Sequence, residues 1–135
     1  MNAIHRLVQG ITRGKVGWSM GKMPVLELTT KGRKSGLPHK VLLISPLQEN
    51  NAIVIVASRG GDDFHPAWFL NLRDNPQVEV ALAGKPKETM TARVATASER
   101  ERMWPLVTAR YKGYAGYQSK TTREIPLVIL SQTSH

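Results

Sequence analysis

Short apolar runs alternate with polar turns along this chain, and most of the runs have the length and period of strands. Residues 25–29 (Val25-Leu26-Glu27-Leu28-Thr29) and 39–45 (His39-Lys40-Val41-Leu42-Leu43-Ile44-Ser45) predict two strands around a polar loop. Residues 46–51, rich in Pro, Gln, Glu and Asn, read as a turn. Ala52-Ile53-Val54-Ile55-Val56-Ala57-Ser58 is a continuous, β-branched run, which predicts a strand buried on both faces. Gly60-Gly61-Asp62-Asp63 breaks it. Residues 65–73 predict a short helix, with Pro66 in its first turn and Asn75-Pro76 past its end. In residues 77–83, Val78, Val80 and Leu82 share one side, so a half-buried strand is expected. After the turn at Ala83-Gly84-Lys85-Pro86, residues 88–95 predict a strand polar on one face. Ser98-Glu99-Arg100-Glu101 reads as a capping box that opens a helix reaching Ala109, kinked or broken at Pro105. Residues 125–130 form a last apolar strand with Pro126 near its start or edge. At the other end, Ile4, Leu7, Val8 and Ile11 recur at helical spacing opposite His5, Arg6 and Gln9, an amphipathic helix over residues 2–12.

The expected fold is therefore mainly β, of the α+β kind: about six antiparallel strands closing into a small barrel, with two to four helices over its gaps. Regular strand–helix alternation is missing, which argues against a doubly wound sheet. Residues 1–24 divide off as the N-terminal helix and a glycine-containing linker anchored by Trp18, and residues 25–135 form the barrel. With 135 residues, one domain is expected.

Charge changes this picture. The net charge is +9, and residues 1–48 hold eight Lys and Arg against Glu27 alone. Such a localised excess points to an anionic partner: a phosphorylated cofactor, an anionic membrane surface or nucleic acid. Nucleic acid is disfavoured, because only Trp18 lies near the basic stretch and no aromatic stacking platform accompanies it. The absence of cysteine removes thiol chemistry and fits a reducing cytoplasm. No signal peptide or spanning helix is expected, so the location is cytoplasmic, with peripheral contact at the inner membrane face through residues 2–12 left open. The scattered histidines lack ligand spacing, so no metal is expected.

Three stretches could carry chemistry. Thr29-Thr30-Lys31-Gly32-Arg33-Lys34-Ser35-Gly36 gathers cations, hydroxyls and two glycines in one hairpin loop. Glycine allows positive φ and close backbone approach, and the cations and hydroxyls suit a phosphate or carboxylate. Trp68 and Asn71 lie one turn apart and could offer a planar wall and a polar hand to a ring, or simply be core and cap. Tyr111, Tyr114 and Tyr117 recur every three residues, and phenols can stack on a substrate and donate a proton.

Taken in order, Leu28-Thr29-Thr30-x-Gly32-Arg33-Lys34-Ser35-Gly36, then Gly60-Gly61 with His65-Pro66-x-Trp68-x-x-Asn71-Leu72-x-x-Asn75-Pro76-x-Val78, then Tyr114-x-x-Tyr117 with Thr122-Arg123-x-Ile125-Pro126-Leu127, strongly resemble the deazaflavin-dependent nitroreductase family of actinobacteria. The resemblance covers the chain from Pro24 to Leu130. It implies a split β-barrel of the flavin-reductase, FMN-binding-like type, and reduced coenzyme F420 as cofactor, with FMN the less fitting choice. By position it implies that Arg33, Lys34, Ser35 and Gly36 bind the cofactor phosphate, helped by His39 and Lys40. It implies that Leu42, Ser58, Arg59, Gly60, Gly61, Ala67, Trp68 and Asn71 surround the deazaflavin ring, and that Tyr111, Tyr114 and Tyr117 line the substrate pocket as the catalytic candidates. The family usually has arginine where His39 stands, so a softened or pH-tuned phosphate site is expected, and a proline where Leu42 stands, so an altered ring pocket.

The implied activity is an oxidoreductase that transfers a hydride from reduced F420 to a small electrophile: a quinone, an enone or a nitro-aromatic. The alternatives are a non-catalytic deazaflavin carrier and a peripheral binder of anionic membranes. Split barrels often dimerise, so a homodimer stays open.

Overall fold

The computed structural model describes residues 19–20, 23–61 and 63–132. The expected amphipathic helix over residues 2–12 and the Trp18 anchor lie outside them. Among the described residues, eight strands run in chain order: β1 (Ser19–Met20), β2 (Met23–Lys31), β3 (Pro38–Ile44), β4 (Leu47–Glu49), β5 (Ala52–Val56), β6 (Gln77–Leu82), β7 (Glu88–Val94) and β8 (Leu127–Gln132). Three α-helices accompany them: α1 (Ala67–Asp74), α2 (Ala97–Arg110) and α3 (Gly113–Ser119), with a short 3-10 turn at Arg59–Gly61. All pairings are antiparallel, in the order β3-β2-β6-β7-β8-β5-β4, and β1 joins the start of β2. This curled half-barrel is the expected split-barrel architecture.

The two strands beyond the expected six are short. β4 sits inside the stretch read as a turn. Asn50 and Asn51 both take positive φ (53° and 64°), which makes the β4–β5 connection a two-residue hairpin of the kind Asn favours. The Asn-Asn pair was the signal for it. The helix cap also differs from expectation. Thr96, not Ser98, is the cap of α2: Glu99 N–H donates to Thr96 Oγ1 at 3.2 Å and Thr96 N–H donates to Glu99 Oε1 at 2.9 Å. Both pairs fit the motif, but Arg93 at the end of β7 also donates twice to Glu99 at 2.8 Å and fixes the earlier start. Pro105 does not break the element into two, since α2 runs continuously through it. Glu101, whose carbonyl loses its partner to the proline, is exposed and can be hydrated there.

The sheet has a core on each face. The inner one joins Leu26, Leu28, Ile53, Ile55, Val128 and Leu130 to Trp68, Phe69 and Leu72 of α1. The outer one joins Val54, Val56, Leu127 and Ile129 to Met103, Val107 and Tyr114 of α2 and α3. Strands β5 and β8 thus bury alternate residues on opposite sides, as the continuous apolar run required.

Candidate functional site

The loop between β2 and β3 is a turn held shut by its own backbone. Gly32 N–H donates to Leu37 O at 2.8 Å, Gly36 N–H to Gly32 O at 2.9 Å, and Leu37 N–H to Ser35 Oγ at 3.1 Å. Gly36 takes φ +74°, but Gly32 serves space rather than φ: a Cβ there would lie 2.6 Å from Ser35 Oγ and 2.7 Å from His39 Nε2. So Ser35 and His39 close over Gly32.

Asn71 supports this loop from α1. It is 3% exposed, its Oδ1 accepts from Arg33 N–H at 3.2 Å and from Arg33 Nη1 at 2.9 Å, and its Nδ2 donates to Thr30 Oγ1 at 3.1 Å. Both ends of the amide are satisfied, as a buried asparagine requires. The space between loop and helix is a cavity of ≈ 230 Å³ lined by Gly32, Arg33, Lys34, Ser35, His39, Ala67 and Asn71. None of these is acidic. Among the described residues, no carboxylate forms a salt bridge with Lys31, Arg33, Lys34 or Lys40. Pro66 caps α1 with no side-chain hydrogen bond, so the first amides of the helix, beside Ala67, add their partial positive charge. The neighbouring cavity, lined by Lys31 to Gly36 with Asp74 and Asn75, continues the cationic surface past the loop.

Strand alternation sorts the other candidates. His39 lies opposite Thr30, and Thr30 faces α1, so His39 is on the cavity side. Lys40 lies opposite Thr29 and Leu42 opposite Glu27, on the other face of β2, while Val41 and Leu43 pack on the inner core. One register position thus places Lys40 and Leu42 on the face of the β2–β3 pair opposite the one that carries Thr30 and His39. Trp68 is 8% exposed and belongs to the inner core, where it meets Phe69 edge-on at 6.5 Å. It is not among the residues that line the cavity, to which α1 presents Ala67 and Asn71.

A second group forms where β5 ends. Gly61 N–H donates to Ser58 O at 2.9 Å, Arg59 takes φ +46° and Gly61 φ +83°. A Cβ on Gly61 would stand 2.6 Å from Tyr117 O and 2.8 Å from Tyr117 Cα, so α3 rests directly on this turn. The three tyrosines pack edge to face around that contact, with centroids 4.8 Å (Tyr111–Tyr114), 6.2 Å (Tyr114–Tyr117) and 6.4 Å (Tyr111–Tyr117) apart. Tyr114 is buried, and burial first, then its two neighbours, pushes its phenol far above the usual range. Tyr111 is open to solvent, its OH lies 3.5 Å from the Tyr117 OH, and that hydrogen bond holds its phenol above the ordinary value.

Arg123 links the two groups, and sequence reasoning gave it no role. Its Nη1 donates to Ala57 O and to His65 Nδ1, both at 3.2 Å, and its Nη2 to Ser58 O at 2.8 Å. His65 opens the segment leading to α1 and lies 4.6 Å from Phe69, ring to ring. The Thr-Arg-x-Ile-Pro pattern that carried part of the resemblance was the only trace of this clamp.

A cationic hairpin beside a glycine turn and a phenolic cluster, all on a split barrel, is an arrangement that suits a phosphorylated ring cofactor. The profile of the F420H(2)-dependent quinone reductase family matches residues 3–132, and the chain belongs to that family. It is 34% identical over 133 residues to the F420H(2)-dependent quinone reductase Rv1261c of Mycobacterium tuberculosis (strain ATCC 25618 / H37Rv), covering 96% of this chain and 88% of the relative. Among solved structures it is similar to an F420-H2 dependent reductase, FDR-A, at 41% identity and a TM-score of 0.71, over 80% of this chain and 94% of that one. Another, described as a domain-swapped dimer, gives 39% identity and a TM-score of 0.73 over 94% and 92%. The protein is thus an oxidoreductase of the F420-dependent class, and no helix among its described residues is long and apolar enough to cross a membrane.

Proposed function

We propose that this protein passes a hydride from reduced F420 to a quinone, and that each of the two groups above has its own part in that reaction. The observation that carries the reading is the carboxylate-free cavity beneath the hairpin, where Arg33, Lys34 and Ser35 stand over the uncapped start of α1. Its donor set fits a phosphodiester: charge-assisted hydrogen bonds from fixed cations and free helix amides. Arg33, Lys34 and Ser35 hold the phosphate, with His39 at the edge, and the turn at 58–61 with Ala67 receives the ring. When bound, F420 supplies the hydride; the chain supplies position, exclusion of water and a proton.

The proton comes from the open side of the tyrosine cluster. Tyr114 is buried and its phenol is a poor acid, so Tyr117, hydrogen-bonded to Tyr111, donates to the acceptor oxygen. Titration of the purified protein with F420, followed by the deazaflavin absorbance, tests binding, and absence of binding at micromolar concentrations overturns the reading. Turnover of the reduced cofactor with quinones, compared with enones and nitro-aromatics, fixes the acceptor; tight binding without turnover on any of them leaves the carrier function instead. A quinone acceptor also suits membrane contact through residues 2–12. Liposome sedimentation with and without them tests that, and equal pelleting removes it. The domain-swapped relative supports a dimer, which light scattering of the full chain decides.

A further inference from the structure

We propose that Arg123 is a positioning residue: one guanidinium fixes the two carbonyls that lead into the ring-binding turn and sets the tautomer of His65 before α1. The inference rests on the cofactor reading above and goes beyond it by assigning what keeps the ring site in shape.

The argument begins with the turn. Residues 58–61 include Gly61 at φ +83°, which glycine adopts freely, and Arg59 at φ +46°, a left-handed conformation that a non-glycine residue holds when the surroundings over-determine it. The surroundings are Arg123. Its planar fork donates to Ala57 O, Ser58 O and His65 Nδ1, so the end of β5 and the approach to α1 are tied to one rigid group. The segment that carries Arg123 is itself fixed. Gln118 of α3 donates to Arg123 O at 2.8 Å and accepts from Ile125 N–H at 2.9 Å and Arg100 Nη2 at 3.1 Å. Thr121 accepts from Arg123 N–H at 3.3 Å and donates to Asp63 at 2.6 Å. Gln118 lies next to Tyr117, whose backbone rests on Gly61. The ring of contacts therefore closes: tyrosine helix, Arg123 segment, glycine turn, tyrosine helix.

His65 reports on this arrangement. A guanidinium only donates, so Nδ1 accepts and the imidazole proton sits on Nε2. Burial, then Arg123, then Arg73 of α1 lower the affinity of His65 for a second proton. Asp63, the nearest described carboxylate in sequence, is occupied by Thr121. A lysine at 123 would keep the charge but lose the fork, and could not hold three acceptors in those directions.

The test uses two ligands and two variants, Arg123→Met and Arg123→Lys, of the full chain. One ligand is F420, and the other is its deazaflavin ring with the sugar chain but without phosphate and tail. Calorimetry should show Arg123→Met weakening both ligands by the same factor, roughly tenfold, from loss of preorganisation. Arg123→Lys should not restore it, and Arg33→Ala with Lys34→Ala should weaken F420 alone. In ligand-free wild type, long-range 15N–1H spectra should show His65 with its proton on Nε2 and titrating below the ordinary histidine range. In Arg123→Met the titration should move up. Wild-type affinity for the ring fragment in Arg123→Met, or a His65 proton on Nδ1 in wild type, overturns the proposal. Should a variant fail to fold, the wild-type tautomer and the lysine variant still decide. Wild type that binds neither ligand overturns the cofactor reading and this proposal together, an outcome distinct from loss of the Arg123 effect alone.

Discussion

The hairpin at 31–37 and the tyrosine corner on Gly61 are built in opposite ways. The hairpin leaves its charged groups open: Lys31, Arg33 and Lys34 are exposed and form no salt bridge among the described residues, while their backbone is fixed from below by the buried amide of Asn71. The corner turns its groups on one another: three phenyl rings interlock, one is buried, and the helix backbone touches Gly61. The first is a rigid base carrying unsatisfied charge, and the second is a shaped neutral wall. This difference separates affinity from chemistry. A charged cofactor tail can be captured without disturbing the place where an uncharged acceptor must sit.

The largest expected effect comes from stripping the open charges. Arg33→Ala with Lys34→Ala should raise the F420 dissociation constant roughly a thousandfold, since two charge-assisted bonds together contribute about 4 kcal/mol. The turnover number at saturation should stay within about twofold, because the phosphate is remote from the transferred hydride. Added salt should weaken wild-type binding and leave the variant nearly unchanged. Calorimetry and saturation kinetics check both, and a turnover number that falls as steeply as affinity would break the division between the regions.

Next comes the corner. Gly61→Ala puts a Cβ 2.6 Å from a backbone oxygen at φ +83°, where an L side chain is strained. A loss of about 3 kcal/mol in unfolding free energy is expected, from overpacking and backbone conformation together. Urea denaturation measures it. Gly116→Ala, in the α3 helix that rests on this turn but with open space around it, should be nearly neutral. Equal losses for the two glycines would mean that the turn yields and the corner is not built on Gly61.

These two regions were unequally legible in the sequence. The hairpin could be read because charge and glycine are local signals: three cations and two glycines between two apolar runs leave few other meanings. Its support could not, since Asn71 is 38 residues from Arg33 in the chain and only tertiary packing aims it at the loop. Alternation puts Lys40 and Leu42 on the face away from α1 once Thr30 is known to face it, but the sequence does not say which face of β2 a helix will cover. The tyrosines were visible as a cluster, while their different burial was not. Arg123 escaped because a lone arginine in a polar stretch looks like any solvated cation. Among the elements, the long apolar runs were clear, and the three-residue β4 was hidden by the Pro and Asn around it.

Within the corner, Tyr117→Phe and Tyr114→Phe should separate. Loss of a general acid lowers the rate roughly a hundredfold, so Tyr117→Phe should slow turnover by about that factor with little change in cofactor affinity. Tyr114→Phe should leave turnover within about twofold, since burial holds that phenol protonated and away from exchange. Both perturbed phenols shift upward, so they stay protonated from acid pH past neutrality. The rate should therefore show no titration of Tyr111 or Tyr114 between about pH 6 and 8. Steady-state kinetics across that range measures this, and a larger loss for Tyr114→Phe would move the acid to the buried ring.

The smallest effects should come from Asn71, and they sharpen the comparison most because it supports the hairpin while carrying no charge of its own. Asn71→Ala removes the acceptor of Arg33 N–H and the donor to Thr30, and should cost about 2 kcal/mol of stability by leaving buried groups unpaired. Asn71→Asp is the finer probe. A carboxylate still accepts from the Arg33 backbone and pairs its guanidinium, so stability should fall by less than about 1 kcal/mol, mainly from the lost bond to Thr30 Oγ1. Affinity should fall nonetheless, about tenfold, because the cavity gains an anion and its arginine gains a partner that competes with the phosphate. Unfolding and calorimetry on the same samples give both numbers. If Asn71→Asp binds F420 as wild type does, the hairpin holds its ligand by shape, and the contrast with the tyrosine wall disappears.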